Sequence, residues 1–189
     1  MRRACLPVLI NVLFSMAAWG QINMVHVTPC GSGAFPATTC TIPATAAGNL
    51  IVVAWSSTWG TIPTTSSMID NAGNVYTSAG NARAVDGTND MVDIWYAKNS
   101  SAGATTLTIT PNPSGNNGAA VIWEFSGVDT VSPLDQTAVL NSQGASTTPL
   151  GAPVTTTAPS EVIISTMLPA GTTNSIFLGN PFINDLTFF

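Results

Sequence analysis

Short apolar stretches recur along the chain after residue 20, each bounded by glycine, proline, asparagine or serine. None has the three-to-four-residue spacing of an amphipathic helix, whereas valine, isoleucine, threonine and aromatic residues are typical of strands. The pattern predicts strands over residues 24–28, 50–55, 91–97, 105–110, 119–125, 137–140 and 161–168. Because no helical crossovers separate them, these strands predict an all-β fold, an antiparallel β-sandwich of jelly-roll type.

Alternation of apolar and polar residues assigns faces within the strands. In 106–110 two apolar residues alternate with three threonines, which predicts a sheet with one solvated side. In 119–125 Glu124 shares a face with Ile122, and the opposite face carries Val121, Trp123 and Phe125. The uninterrupted apolar run 50–54 predicts a central strand.

Turn-forming residues separate the strands. Residues 70–74 (Asp-Asn-Ala-Gly-Asn) lie between two short apolar segments and predict a hairpin loop. Residues 142–159 are rich in threonine, alanine and proline, which indicates either an extended edge or a surface excursion.

The first twenty residues have the composition of a signal peptide. Two arginines precede an apolar stretch over 4–18, and Ala18 and Gly20 are small residues at the positions that a signal peptidase recognises. The stretch is interrupted by a proline and an asparagine and is too short for a spanning helix, which needs about 20 apolar residues. We therefore predict cleavage after Gly20 and secretion of residues 21–189, a length typical of one domain.

Charged residues make up only 7% of the chain, so serine, threonine, asparagine and glycine must supply the polar surface. Leader removal leaves Arg83 and Lys98 against nine acidic side chains, a net charge of −7. Two cations cannot provide the counterion release on which nucleic-acid binding depends, and the negative charge disfavours anionic lipid surfaces. We expect no nucleic-acid partner and no membrane insertion of the mature chain.

Cys30 and Cys40 are the two cysteines that remain after cleavage. An even pair in an exported chain predicts a disulfide, which closes a short loop and contributes roughly 2–3 kcal/mol. A metal pair or a redox couple is the alternative, but the sequence has no Cys-x-x-Cys spacing and only one histidine to complete such a site.

Four segments carry a resemblance to a known class of domain: 47–50 (Ala-Gly-Asn-Leu), 70–76, 93–99 with 103–106, and 124–128 leading to 133–135. Together they resemble a poorly characterised β-sandwich domain of secreted bacterial proteins, over most of residues 22–189. The resemblance implies a jelly-roll-like fold and modular extracellular proteins, and it supplies no catalytic residues. It also implies two further strands, so the sandwich is expected to lack its last strands, through truncation or a strand left for a partner, and to have an open sheet edge.

Candidate catalytic residues are few. The sequence contains no Gly-x-Ser-x-Gly elbow, and the sole histidine, His26, lies in the first predicted strand, where we expect a structural role. Glycoside hydrolysis requires two carboxyl groups about 5–5.5 Å or 6.5–9.5 Å apart. Glu124 and Asp93 both lie mid-strand, and neighbouring strands would let them line a sugar cleft. The alternative is that both lie on a solvated face.

Aromatic residues suggest a binding role instead, since tryptophan faces stack on sugar rings while polar side chains orient the ligand. Trp59 is the strongest candidate because it follows a buried strand within a polar segment. Trp95 is a second candidate, together with Asp93 and Glu124. The alternative for Trp59 is that it folds back over the end of the sheet.

Oxygen-bearing side chains are concentrated at Asp86, Asn89 and Asp90, just before Asp93. Such donors suit calcium, which would have a structural role here, but the same residue types are also favoured in ordinary turns. We expect no other cofactor.

These observations favour a secreted, non-enzymatic β-sandwich module that binds a glycan or surface polymer. One alternative is a jelly-roll glycoside hydrolase with a carboxylate pair. Another is a structural or adhesive module joined to other domains of a larger surface protein. A hydrolase requires converging carboxylates in a cleft, a binding module requires exposed aromatic residues, and a structural module requires neither.

Overall fold

The structure is a computed structural model that describes residues 8–15, 21–34, 38–58, 61–85, 91–113, 117–140, 151–158 and 161–168. Over these ranges the chain is all-β, and no helix there is long and apolar enough to cross a membrane. The strands are β1 (Val8–Ser15), β2 (Asn23–Ala34), β3 (Thr38–Thr41), β4 (Leu50–Thr58), β5 (Thr65–Asp70), β6 (Thr77–Val85), β7 (Met91–Ala97), β8 (Thr106–Asn112), β9 (Asn117–Ser126), β10 (Leu134–Leu140) and β11 (Glu161–Leu168). All seven strands predicted from the sequence are present, and the antiparallel β-sandwich is confirmed.

A five-stranded antiparallel sheet in the order β2-β9-β4-β7-β6 forms the centre of the molecule. The prediction that residues 50–54 form a central strand is confirmed, because β4 pairs with β9 on one side and β7 on the other. Residues 50–55 are all at most 5% exposed. A strand that is buried on both faces needs apolar residues at every position, which explains the uninterrupted apolar run.

Two hydrophobic cores lie on opposite faces of this central sheet. The first core separates it from the sheet β10-β1-β11, and the second core separates it from the sheet β3-β8-β5. Side chains alternate between the two cores along β4: the first receives Leu50, Val52 and Ala54, and the second receives Ile51, Val53 and Trp55. Because successive side chains of a strand point to opposite faces, this one strand contributes side chains to both cores.

The sheet β3-β8-β5 follows the predicted alternation. Leu107 and Ile109 of β8 are fully buried in the second core, whereas Thr110 is exposed. The predicted disulfide is confirmed: Cys30 on β2 and Cys40 on β3 are joined, with Cα atoms 5.5 Å apart. Closing a loop of about ten residues restricts the unfolded chain and contributes about 2.5 kcal/mol.

The sheet β10-β1-β11 was not predicted, because its middle strand lies within the predicted leader. β1 pairs antiparallel with both β10 and β11, and the Phe14 side chain is fully buried in the first core. The ring of Phe14 meets that of Tyr96 edge-on, with centroids 5.6 Å apart. Cleavage after Gly20 stays a prediction about the exported chain, in which this strand would be missing.

The prediction of a hairpin at residues 70–74 is wrong. β5 pairs with β8 in one sheet, whereas β6 pairs with β7 in the other, so this turn carries the chain across the second core between two layers. The Asp70 carboxylate shapes the turn by accepting hydrogen bonds from the backbone N–H groups of Ala72 and Asn74. The same residue types serve both kinds of turn, so composition alone did not distinguish them.

Candidate functional site

Asp93 and Trp95 lie on β7, two residues apart, and their side chains emerge on the same face of the sheet. The indole Nε1–H of Trp95 donates a hydrogen bond to Asp93 Oδ2 at 2.8 Å. Asp93 is 3% exposed, whereas Trp95 remains partly exposed. The buried carboxylate therefore fixes the plane of a tryptophan ring that reaches the surface.

Trp95 lies one strand in from the edge of the central sheet and packs against the second core, with part of its side chain exposed. Trp95 pairs in register with Ser78 of the edge strand β6, and Ser78 is also partly exposed. The ring and this hydroxyl group thus lie side by side, a combination suited to a hydroxylated ring: an apolar face with a polar neighbour. We call Ser78, Asp93 and Trp95 the β6–β7 surface.

Glu124 does not belong to this surface. Its side chain is fully buried against the second core, so the prediction that it contacts a ligand is wrong, and so is the alternative that it lies on a solvated face. Its Oε1 atom accepts hydrogen bonds from the backbone N–H of Ala46 at 2.8 Å and from Asn49 Nδ2 at 2.5 Å. These contacts bind the loop before β4 to β9.

Ser100 extends this buried network to the loop after β7. Its hydroxyl group donates to the Ala46 carbonyl at 2.7 Å and accepts from the Asn49 backbone N–H at 3.2 Å, while its own N–H donates to the Asn49 carbonyl at 2.8 Å. We call Glu124, Asn49, Ala46 and Ser100 the loop anchor. Buried polar groups that satisfy one another in this way hold a unique arrangement of the loops.

His26 on β2 faces Glu124 across the sheet, with Nδ1 3.2 Å from Oε2. The two atoms are close enough for an ion pair, but their orientation does not form a hydrogen bond. The His26 side chain is 14% exposed. Its partner is the carboxylate of the loop anchor, and this geometry fits the structural role predicted for a histidine in this strand.

The hypothetical carboxylate pair of Asp93 and Glu124 does not form. β4 lies between β7 and β9. Glu124 pairs in register with Ile51 of β4, and Ile51 pairs on its other side with Ala97 of β7. Asp93 lies four residues from Ala97 along β7. Two strand spacings and a four-residue offset separate the two Cα atoms by roughly 16 Å. Glycosidase carboxyl groups lie within about 10 Å of each other.

The structure brings together another acidic pair, Asp135 at the start of β10 and Glu161 at the start of β11. Asp135 accepts hydrogen bonds from the backbone N–H (2.8 Å) and the hydroxyl group of Thr157, and Glu161 accepts one from the Ala158 N–H at 3.0 Å. The Thr157 contacts lower the pKa of Asp135, whereas burial and then the neighbouring Asp135 raise the pKa of Glu161.

Sequence reasoning missed this pair because 26 positions separate its members and neither belongs to a motif. The pair fastens residues 157–158 to the ends of β10 and β11, because Asp135 accepts from Thr157 and Glu161 accepts from the Ala158 N–H.

Acid is expected to weaken the turn at Asp70. Burial alone would raise the pKa of Asp70, but hydrogen bonds from Asn74, Tyr76 and Ala72 together lower it. A depressed pKa contributes stability above the ordinary value near 3.8, and this stability is lost as the pH falls through the folded-state value. We expect Asp70→Asn to cost about 1–2 kcal/mol at pH 7 and progressively less as the pH falls below 3.8. Urea unfolding at a series of pH values from 7 downward tests this, and a cost that does not change with pH would contradict it.

Four of the predicted site residues lie outside the described residues: Trp59 and the proposed calcium ligands Asp86, Asn89 and Asp90. Within the described ranges, no group of three or more histidine, cysteine, aspartate or glutamate side chains is arranged to hold a metal ion. Asp93, the fourth residue of the calcium hypothesis, hydrogen-bonds to Trp95 instead.

Comparisons with protein-family models, with curated proteins and with solved structures gave no match.

Proposed function

We propose that the protein is a secreted, non-catalytic β-sandwich module that binds a glycan or another hydroxylated surface polymer through the β6–β7 surface. The observation that carries this proposal is the Trp95 ring, which reaches the surface while its N–H group is held by buried Asp93. Ordering an aromatic platform in advance reduces the entropy lost on binding. The disulfide fits export to an oxidising compartment.

The surface chemistry also supports a neutral, hydroxyl-rich ligand. With two cations and nine acidic groups after leader removal, the mature chain would repel polyanions. Stacking on an aromatic face needs no charge, and serine or threonine hydroxyl groups exchange hydrogen bonds with sugar hydroxyl groups.

Loss of the aromatic face is expected to weaken binding strongly. We expect Trp95→Ala in the mature chain to bind insoluble cellulose or chitin about tenfold more weakly than the unmodified chain, since one stacking contact contributes on the order of 1–1.5 kcal/mol. Depletion of protein from solution by the washed polymer measures this. Trp59→Ala tests, in the same assay, the tryptophan that the sequence favoured.

Two matched variants sharpen the test. Trp95→Phe keeps an aromatic face and is expected to retain most of the binding, whereas Val75→Ala removes an apolar side chain that is 80% exposed elsewhere on the surface and should change nothing. Melting temperatures recorded for all variants identify any loss caused by unfolding. Equal retention of Trp95→Ala and the unmodified chain on every polymer that the mature chain binds would refute the role of Trp95.

A further inference from the structure

Gln21 is the residue that the predicted cleavage after Gly20 would place at the N-terminus of the mature chain. It is exposed and lies two residues before β2, an edge strand of the central sheet. In the precursor its backbone nitrogen belongs to a peptide bond, whereas leader removal would turn that nitrogen into a primary α-amine. The mature chain would then present an amine and a side-chain amide within one exposed residue.

The fold holds Gln21 by its carbonyl group. Asn23 Nδ2 donates a hydrogen bond to the Gln21 carbonyl oxygen at 2.9 Å. The turn after β9 packs against the same oxygen: Gly127 has a φ of 78°, and a Cβ atom at this position would overlap the oxygen. The next residue, Ile22, packs against the first core. These contacts fix the backbone from the Gln21 carbonyl onward and use neither its side-chain amide nor its nitrogen.

We propose that Gln21 is a modification site, where the mature N-terminus closes to a pyroglutamate ring. This inference rests on the export and leader removal that are part of the proposed function, but not on glycan binding. The neutral α-amine attacks Cδ of its own side chain, so the N–Cδ bond forms and the Cδ–Nε2 bond breaks. Nε2 leaves as ammonia and takes the proton that the amine releases. The step consumes no oxidant, reductant or second substrate.

Two physical conditions favour this ring closure. An α-amino group has an ordinary pKa of about 7.7–8.0, so a substantial share of the amine is unprotonated and nucleophilic near neutral pH. The reacting atoms belong to one residue, so no second molecule has to be brought into place. Because Gln21 is exposed, its side chain can rotate toward its own nitrogen while Ile22 and Asn23 keep their positions.

Ring closure would change the chemistry of the mature N-terminus. The lactam has no ammonium group, so the chain would lose one positive charge while Arg83 and Lys98 remain. Exposed termini are where proteolysis concentrates, and an exopeptidase that recognises a free α-amine would find none. The ring would thus protect the start of β2, the strand that carries Cys30.

The N-terminus of the secreted chain tests the proposal. The full-length precursor is expressed in a secreting bacterial host, and the released protein is kept at about pH 8, near the ordinary pKa of the α-amine, before mass spectrometry of its N-terminal peptide. We expect a peptide that starts at residue 21 and is lighter than its encoded mass by one ammonia molecule. Edman degradation should give no sequence until pyroglutamyl aminopeptidase removes the blocked residue, after which the sequence starts at Ile22.

Gln21→Glu is the matched control. An exposed glutamate is ionised above its ordinary pKa of about 4.3, and a carboxylate resists attack by an amine, so most molecules of this variant should keep a free α-amine. Equal blocking of the variant and the unmodified chain would refute the inference, since a modification that needs no side-chain amide would then explain the block.

The remaining outcomes separate this inference from the proposed function. A free glutamine at residue 21, with the encoded mass, would refute the inference while confirming leader removal. A secreted chain that starts at another residue would refute both the inference and the predicted cleavage site. None of these readouts involves a polysaccharide, so they are independent of the glycan proposal.

Discussion

Replacing Glu124 with alanine is expected to lower the free energy of unfolding of the mature chain by about 3–5 kcal/mol, because the substitution strips several buried groups of their partner at once. The Ala46 N–H and the Asn49 amide would lose their acceptor, and His26 would lose the facing carboxylate. The new cavity lies beside a fully buried part of the second core. Urea denaturation at pH 7 measures the change.

Glu124→Gln is the matched control. The amide oxygen of glutamine can occupy the place of Oε1 and keep both accepted hydrogen bonds, so we expect a loss of about 1 kcal/mol, from the His26 contact alone. A loss below 1 kcal/mol for Glu124→Ala would mean that the loop anchor does not hold the loops together.

The second large effect is expected at Leu107, whose side chain is fully buried between β8 and the central sheet. Leu107→Ala removes a branched side chain from a packed core and should cost about 2–5 kcal/mol. Thr110→Ala, on the exposed face of the same strand, should stay within about 0.5 kcal/mol of the unmodified chain. Thermal and urea unfolding of the two variants compare the faces directly. Similar losses at both positions would contradict the assignment of the buried face.

The sequence predicted which side of a strand a residue occupies but not what covers that side. The alternation in 119–125 correctly separated Trp123, now in the first core, from Glu124. The alternation did not predict whether the face of Glu124 is covered, because a period of two carries no information about the number of layers. A sheet covered on both faces buried a carboxylate that would be exposed in a two-layer sandwich.

Local chemistry explains what could be predicted of the site. Asp93 and Trp95 share a face because they are two residues apart, so their hydrogen bond follows from the strand itself. The distance between Asp93 and Glu124 depends instead on which strand lies between β7 and β9, and nothing near either residue specifies β4. The proximity of Asp135 and Glu161 could not be predicted for the same reason. It depends on β10 and β11 lying on either side of β1.

The turn at residues 70–74 shows a related limit. Asp70, Asn74 and a glycine with positive φ, Gly73, form the turn as their residue types predict. Whether the chain returns to the same sheet or crosses to the next depends on where β6 finds its partner, and that partner, β7, follows later in the chain. The local conformation was therefore predictable, but the topology was not.

One measurement tests the central claim most directly: the mature chain is incubated with insoluble cellulose and chitin, and bound protein and newly formed reducing ends are measured in the same samples. A binding module predicts saturable retention that depends on Trp95, with reducing ends no higher than in the protein-free blank. Reducing ends that rise in proportion to protein and time would contradict the account, as would the absence of retention on every hydroxylated polymer offered.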